Sequence, residues 1–179
     1  MKFRALLLLT CLAGLVYAKT PRPLVNVPIL TPTQKAIDLR KYRGQTVILV
    51  IFSTGCDDCI KTINIMNKLQ AELGPKGLQV VGAAGDPNAK YLLEPFIQRY
   101  RPLFPLGYID KDAIIKVAEI GPKVRPVVPI VMFVDKWGMV REQYFGDHPI
   151  FKDPERSLRA LAQAVMSVQQ LGVQAPAAK

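Results

Sequence analysis

The chain has 179 residues, and half of them are hydrophobic, which is enough to build one domain around a full core. The 24 basic and 14 acidic residues give a formal net charge of +10, but the lysines and arginines are scattered and are not interleaved with aromatic residues. This distribution indicates a solvated basic surface, which leaves attraction to acidic partners or anionic membranes open but argues against a surface on which nucleic-acid bases stack.

The first 18 residues have the pattern of a secretory signal peptide. Lys2 and Arg4 precede the apolar residues 5–16, and a segment with small residues ends at Ala18. We predict cleavage after Ala18 and export to the periplasm. The apolar segment is short for a membrane span, although an uncleaved anchor is the alternative.

Removal of residues 1–18 would leave one domain over residues 19–179. We expect its core to span about residues 28–172 and the tail after residue 173 to be disordered. The leader also contains Cys11, in a segment that faintly resembles a lipoprotein signal but lacks the small residue usual before the cysteine. We therefore expect Cys11 to leave with the leader, so that two cysteines remain in an oxidising compartment.

Two strands are predicted before these remaining cysteines. Residues 27–30 form a short apolar segment that contains Pro28, and because proline is confined to the edges of sheets, we expect an edge strand. Residues 47–52 are all apolar, with Val and Ile dominating, which is typical of a strand covered on both faces. We therefore place residues 47–52 at the centre of the sheet.

The two cysteines follow this strand at the start of a predicted amphipathic helix, in which apolar residues recur every three or four positions. Cys56 lies at the helix N-terminus, where unpaired backbone N–H groups and the helix dipole stabilise a thiolate. Cys59 lies one turn further, within disulfide reach. The pattern predicts a reversible dithiol with Cys56 as nucleophile and Cys59 as resolving thiol. A structural disulfide is the alternative, but so small a loop would restrict the unfolded chain little.

The middle of the chain continues with a second strand and a second helix. The cysteine helix is predicted to end near Gly74, and residues 78–83 form another buried strand. The strand over residues 47–52, the helix and this strand therefore make a parallel, right-handed βαβ unit. Residues 88–100 have helical spacing, but Pro95 predicts that this helix is kinked or divided in two.

The C-terminal part predicts a short helix, a hairpin and a long helix. Residues 113–120 form the short helix, with Asp112 as its N-cap. Alternating apolar residues over 129–135 and 139–145 predict two strands of a β-hairpin. A final amphipathic helix is predicted to start at Pro154.

The order of these features resembles that of the thioredoxin-like superfamily and, within it, the exported TlpA-like and ResA-like branch. The resemblance covers about residues 28–146. The dithiol of Cys56 and Cys59 follows a buried strand, Pro129 precedes another strand, and residues 135–138 read as an Asp-x-x-Gly turn. The resemblance implies an α/β protein with the thioredoxin-like fold, in which helices flank a central mixed β-sheet.

The resemblance also implies which other segments form the site. It implies an N-terminal hairpin within residues 31–45 and a cis peptide before Pro129, whose loop would lie against the dithiol. Because proline has no N–H and a fixed ring, the carbonyl and amide of Val128 would stay free to pair with an extended partner chain. Val128 and Pro129 are therefore candidate substrate-binding residues.

The implied activity is that of a thiol–disulfide oxidoreductase which acts on the thiols or disulfides of other exported proteins. Such an enzyme needs no cofactor, because the dithiol itself carries the electrons. It would be recycled by a redox partner, either in the membrane or outside it, and we expect it to be a monomer.

The chain departs from the family pattern around the dithiol. Gly55 occupies the position where relatives commonly have Trp, and Val50 and Thr62 occupy the two positions where relatives carry a buried acid. Neither side chain can take up a proton at neutral pH, so the chain lacks the acid that assists proton transfer in relatives.

Asp57 and Asp58 replace a middle pair that often contains proline in relatives. Their negative charges oppose a thiolate on Cys56 by about as much as a helix N-terminus stabilises it, since each effect is on the order of 1 kcal/mol. We therefore predict a higher pKa for the Cys56 thiol than in relatives with an uncharged pair. A less stabilised thiolate disfavours the reduced form, which favours a reductase.

Two other functions remain as alternatives. Cys56, Cys59 and His148, the sole histidine, could bind copper or zinc, as in thioredoxin-like copper-delivery proteins, although those usually space their cysteines by three residues. We expect His148 to be an ordinary loop residue and predict no metal site. A binding module with a purely structural dithiol is a weaker alternative. A peroxidase is disfavoured because the segment before Cys56 lacks the proline and threonine spacing of peroxiredoxins.

Overall fold

Helices flank a mixed β-sheet in the part of the chain that the structure describes, residues 20–121 and 123–170 of a computed structural model. Within these residues the strands are β1 (Arg22–Pro23), β2 (Ile29–Leu30), β3 (Ala36–Ile37), β4 (Thr46–Phe52), β5 (Leu78–Ala84), β6 (Leu106–Tyr108), β7 (Ile130–Val134) and β8 (Met139–Tyr144). The α-helices are α1 (Asp57–Leu73), α2 (Ala89–Tyr100), α3 (Lys111–Ala118) and α4 (Pro154–Gln170). This architecture confirms the predicted fold class.

Strand β4 lies inside the sheet, as its apolar composition predicted. The strand order is β1-β8-β7-β4-β5-β6-β2-β3, and every residue of β4 is buried. Strand β5 pairs with β4 in parallel, with Phe52 opposite Ala84, and β6 continues the parallel set. Strand β7 pairs with β4 on the other side and runs antiparallel. The parallel β4–α1–β5 unit is therefore confirmed.

The side chains of β4 alternate between two cores, one on each face of the sheet. Val50 and the residues two positions away pack with apolar residues of α1, α2 and α4, whereas Leu49 and its alternate neighbours pack with α3. Burial of each such side chain contributes about 1.5–3 kcal/mol relative to exposure. The core on the α1 side holds the start of α1 against the end of β4, which is where the cysteines lie.

Three local predictions need correction. Strand β2 is not at the edge, because the residues after it turn back as β3 and pair with its outer side, while Pro28 precedes the paired residues. Helix α2 is not divided in two at Pro95, which is exposed, so that the missing internal hydrogen bond lies on the solvent side. Helix α3 begins earlier than predicted, and Asp110, not Asp112, caps it by accepting a hydrogen bond from the Ala113 N–H at 2.7 Å.

The second hairpin and the last helix follow the predictions. The N-terminal hairpin pairs β2 with β3, so it begins at residue 29, earlier than the predicted range of 31–45, because the strand before that range supplies one arm. Strands β7 and β8 form the second hairpin, as predicted. Its turn is closed by Asp135, which is buried and accepts hydrogen bonds from the N–H groups of Trp137 and Met139, both at 2.9 Å. Gly138 has φ of +85°, a conformation that glycine adopts without steric cost. Helix α4 begins at Pro154, as predicted.

Some predictions lie outside the described residues. These are the signal peptide, Cys11 and the C-terminal tail. Among residues 20–121 and 123–170, no helix combines the length and the apolar character that crossing a membrane requires.

Candidate active site

Cys56 and Cys59 form a disulfide at the N-terminus of α1. Strand β4 ends at Phe52, a short turn follows, and Cys56 is the N-cap residue, with its sulfur accepting a hydrogen bond from the Cys59 N–H at 3.2 Å. The two Cα atoms are 5.2 Å apart. The predicted dithiol position is thus confirmed. In the reduced protein, the same N–H and the start of the helix would stabilise a thiolate on Cys56.

The two sulfurs differ in accessibility. Cys56 is partly exposed, whereas Cys59 is 0% exposed and belongs to the core beneath α1. A partner protein can therefore reach Cys56 and not Cys59. This difference matches the roles of an attacking and a resolving thiol.

A carboxylate from the neighbouring strand holds the turn before Cys56. Asp86 follows the end of β5, and it accepts a hydrogen bond from the Ser53 hydroxyl at 2.5 Å and from the Thr54 N–H at 2.9 Å. The Gly85 N–H also donates to the Phe52 carbonyl at 2.8 Å. The Ser53–Thr54 turn is thereby tied to the β5 end, which orients the start of α1.

Sequence reasoning missed the role of Asp86, although a signal was present. The carboxyl ends of adjacent parallel strands lie at the same edge of a sheet. Since β4 and β5 were predicted to be parallel neighbours, polar residues just after each strand were candidates for contact. Ser53 and Asp86 occupy these two places.

The Pro129 loop is held by the end of β8. The Val128–Pro129 peptide is cis, Pro129 is buried, and the Gly146 N–H donates to the Val127 carbonyl at 3.1 Å. A Cβ atom on Gly146 would lie 2.7 Å from the carbonyl carbon of Val128 and 3.0 Å from the nitrogen of Pro129. Only glycine permits this close approach. Val128 packs against the same core as Cys56.

The two acidic residues between the cysteines are exposed in the first turn of α1. Asp58 forms an ion pair with Lys61 at 2.9 Å, and this hydrogen bond, together with charge attraction, raises the pKa of Lys61. Asp57 forms no ion pair with a described residue. Lys61 therefore offsets part of the negative charge of Asp58 and, to a smaller extent, part of that of Asp57.

The two positions at which relatives carry a buried acid are filled by uncharged side chains in this chain. Val50 is fully buried in the core that contains Cys59. Thr62 is also buried, and its hydroxyl donates to the Asp58 carbonyl at 2.8 Å. Cys59 therefore lies among groups that cannot accept its proton.

His148 is not part of a metal-binding cluster among the described residues. It caps a short 3₁₀ helix, with Nδ1 accepting a hydrogen bond from the Ile150 N–H at 3.3 Å, and its ring packs on Tyr144 with 4.7 Å between the ring centres. Within the described ranges, no group of three or more His, Cys, Asp or Glu side chains is arranged to hold a metal ion. His148 thus does not join the two cysteines in a three-ligand site.

Known proteins resemble this chain in sequence. A family model described as AhpC/TSA family matches residues 21–144. The thiol-disulfide oxidoreductase ResA of Bacillus thuringiensis (strain Al Hakam) is 28% identical over 113 residues, which are 63% of this chain and 62% of the relative. The protein of the same name from Geobacillus thermodenitrificans (strain NG80-2) is 28% identical over 151 residues, or 79% of this chain and 83% of the relative. The match thus spans 62% of the length of the Bacillus relative.

A solved structure resembles the fold. The thiol:disulfide interchange protein, thioredoxin family protein from Chlorobium tepidum TLS superposes with a TM-score of 0.65 at 18% identity, covering 83% of this chain and 98% of that one. The thioredoxin-like fold is therefore confirmed.

Proposed function

This chain belongs to the AhpC/TSA family, and we propose that it is an exported thiol–disulfide oxidoreductase that reduces disulfides of other exported proteins. The main support for this activity is the cysteine pair at the start of α1, in which the sulfur of Cys56 is accessible and that of Cys59 is buried. The similarity to proteins named thiol-disulfide oxidoreductase supports the same activity.

The reaction proceeds by two exchanges of a disulfide bond. The Cys56 thiolate attacks one sulfur of a partner disulfide, a bond between Cys56 and the partner forms, and the leaving partner sulfur takes up a proton. Cys59 then loses its proton and attacks the Cys56 sulfur, which releases the second partner thiol. Two electrons pass to the partner, and the disulfide between Cys56 and Cys59 is restored.

The backbone of Val128 is a suitable place for the partner chain. Neither its N–H nor its carbonyl forms a hydrogen bond with another described residue, and Pro129 after it is buried. An extended segment of the partner could pair with these two groups while its disulfide reaches Cys56. Val128 and Pro129 act as substrate-binding residues in this proposal.

The charges near Cys56 support reduction of the partner as the direction of electron flow. Asp57 and Asp58 disfavour a negative sulfur in the reduced state, and a reduced form that is less stabilised passes its electrons on more readily. Asp57 contributes more of this effect because Asp58 is paired with Lys61. The enzyme therefore acts as a reductase, and a separate redox partner must return it to the dithiol form.

Export to the periplasm is supported by the signal-peptide pattern of residues 1–18. A compartment where disulfides form is also where a reductase of exported proteins finds its substrates. The basic surface suits acidic partners.

Trapping of mixed disulfides tests the proposal. Cys59→Ser should accumulate mixed disulfides with exported proteins through Cys56, because no resolving thiol remains. Cys56→Ser is the matched control and should trap none, since Cys59 is buried. The adducts are read as bands on non-reducing gels that disappear with dithiothreitol.

Two results would contradict the proposal. Equal trapping by both variants would show that accessibility does not separate the roles of the two cysteines. Stoichiometric copper bound by the reduced wild type and lost in His148→Ala would favour the metal-delivery alternative.

A further inference from the structure

A cleft opens beside the active-site turn at the carboxyl ends of the parallel strands. It has a volume of about 850 Å³ and reaches from Ser53, after β4, to Val128, before the cis-proline. The segments after β5 and β6 form its other walls. The cleft therefore adjoins both the turn that leads to Cys56 and the residue proposed to bind the partner backbone.

Four basic residues line this cleft, and they come from three different segments of the chain. They are Lys90, Lys111, Lys123 and Arg125. All four are exposed, and none of them forms an ion pair with a residue in the described ranges. Their charges are therefore available to a ligand.

The acidic residues of the cleft are already engaged in the fold. Asp86 accepts hydrogen bonds from Ser53 and Thr54, and Asp110 accepts one from the Ala113 N–H at the start of α3. These neutral donors leave the carboxylate charges in place, and four cations against two carboxylates give the cleft an excess of positive charge. Such an excess attracts anionic ligands and raises their rates of association.

The cleft also has apolar walls. Val124, which is 51% exposed on the loop before the cis-proline, and the exposed Pro87 line it. Exposed apolar side chains beside basic ones suit a peptide segment better than a small inorganic anion, because a peptide offers both side-chain types.

We propose that this basic cleft selects partner proteins whose reactive cysteine is flanked on one side by acidic residues. The proposal rests on the proposed function, since the partner must exchange its disulfide with Cys56. Acidic residues on only one side are expected, because Asp57 and Asp58 lie exposed next to Cys56 and would repel acidic residues that pass over α1.

Peptides with a single activated cysteine test the proposal. Each carries the cysteine as a mixed disulfide with thionitrobenzoate, and three Asp, three Asn or three Lys residues lie either before or after it. The reduced full chain, with Cys11→Ser so that Cys56 and Cys59 are its only thiols, transfers two electrons to this disulfide, which yields the peptide thiol and coloured thionitrobenzoate. The second-order rate constant of colour release is measured at low and at high salt.

Of the two acidic peptides, one with Asp before the cysteine and one with Asp after it, we expect one to react about tenfold faster than the matching neutral peptide at low salt. Electrostatic steering accelerates association by roughly 10–10³. Near 1 M salt this advantage should disappear, because the Debye length falls to about 3 Å. The double variant Lys123→Glu with Arg125→Glu should abolish the preference and favour the lysine peptide.

The matched control is Lys41→Glu with Lys76→Glu, which changes the net charge equally. These lysines precede β4 and β5, so they lie about 20 Å from the cleft at the other end of the seven-residue strands. The control should keep the preference for the acidic peptide. Circular dichroism of both double variants verifies that they are folded.

The outcomes separate this inference from the proposed function. Equal rate constants for acidic and neutral peptides, or an equal loss of preference in both double variants, would overturn the cleft inference alone. Absence of colour release with every peptide would overturn the proposed function, and the inference with it.

Discussion

Removal of the Asp86 carboxylate should loosen the turn that leads to Cys56 and destabilise the protein. Asp86 accepts hydrogen bonds from the Ser53 hydroxyl at 2.5 Å and the Thr54 N–H at 2.9 Å. Hydrogen bonds to charged groups contribute about 1.5–3 kcal/mol each, and because Asp86 is partly exposed we take the lower limit for both. Asp86→Ala should therefore lower the free energy of unfolding by about 3 kcal/mol.

Two further variants separate the two hydrogen bonds. Asp86→Asn keeps one acceptor oxygen but loses the charge, so it should cost about 1–2 kcal/mol. Ser53→Ala removes one donor and leaves the Thr54 bond in place, which should cost about 1.5 kcal/mol. If the three groups act as one network, the combination of Ser53→Ala with Asp86→Ala should cost about 1.5 kcal/mol less than the sum of the two single changes.

Urea unfolding of the oxidised full chain, followed by circular dichroism, measures these differences. With a slope of about 2 kcal/mol per molar urea, a loss of 3 kcal/mol shifts the midpoint by about 1.5 M. A shift below about 0.25 M for Asp86→Ala would refute the reasoning, because about 0.5 kcal/mol is ordinary for a surface substitution. Full additivity of the two single changes would refute the network.

Three other predictions concern charge, processing and pH. Replacing both Asp57 and Asp58 with Asn should lower the pKa of the Cys56 thiol and make the couple more oxidising; thiolate absorbance and equilibration with glutathione measure both, and an unchanged pKa would contradict the charge argument. Mature protein should begin at Lys19 by intact mass, and a species that keeps the leader would contradict export by cleavage. Burial, and then the hydrogen bond to a neighbouring glutamate, raise the pKa of Tyr144 from 10.0 to about 12. Between these pH values only the unfolded state loses the phenol proton, so stability should fall as pH rises, and Tyr144→Phe should remove this part of the fall in urea titrations.

Much of the site could be predicted because it is encoded locally. An apolar run, a turn and an amphipathic pattern were enough to place Cys56 at the start of α1 and Cys59 one turn further. The hairpin turn from Asp135 to Gly138 is local in the same way. In each case the residues that decide the structure are neighbours in sequence, so that periodicity and turn chemistry reveal them.

The errors arose where a residue has competing options or a distant partner. Asp110 and Asp112 can both cap a helix, and the choice depends on where the chain leaves β6. Pro28 was taken as a sign of an edge, but β3 folds back and covers that side of β2. Pro95 interrupts a hydrogen bond without dividing α2, because packing of the helix on the sheet outweighs that loss.

The sequence by itself determined the central strand, the dithiol at a helix start and the apolar faces that build the two cores, because each depends on the spacing of side chains along the chain. Only the tertiary structure decided that Asp86 ties down the turn before Cys56, and that lysines from distant segments meet Arg125 in one cleft. Those contacts depend on which strands become neighbours and in what register. The spacing of residues along the sequence does not contain that information, because strand neighbours and register are set by the packing of the whole sheet.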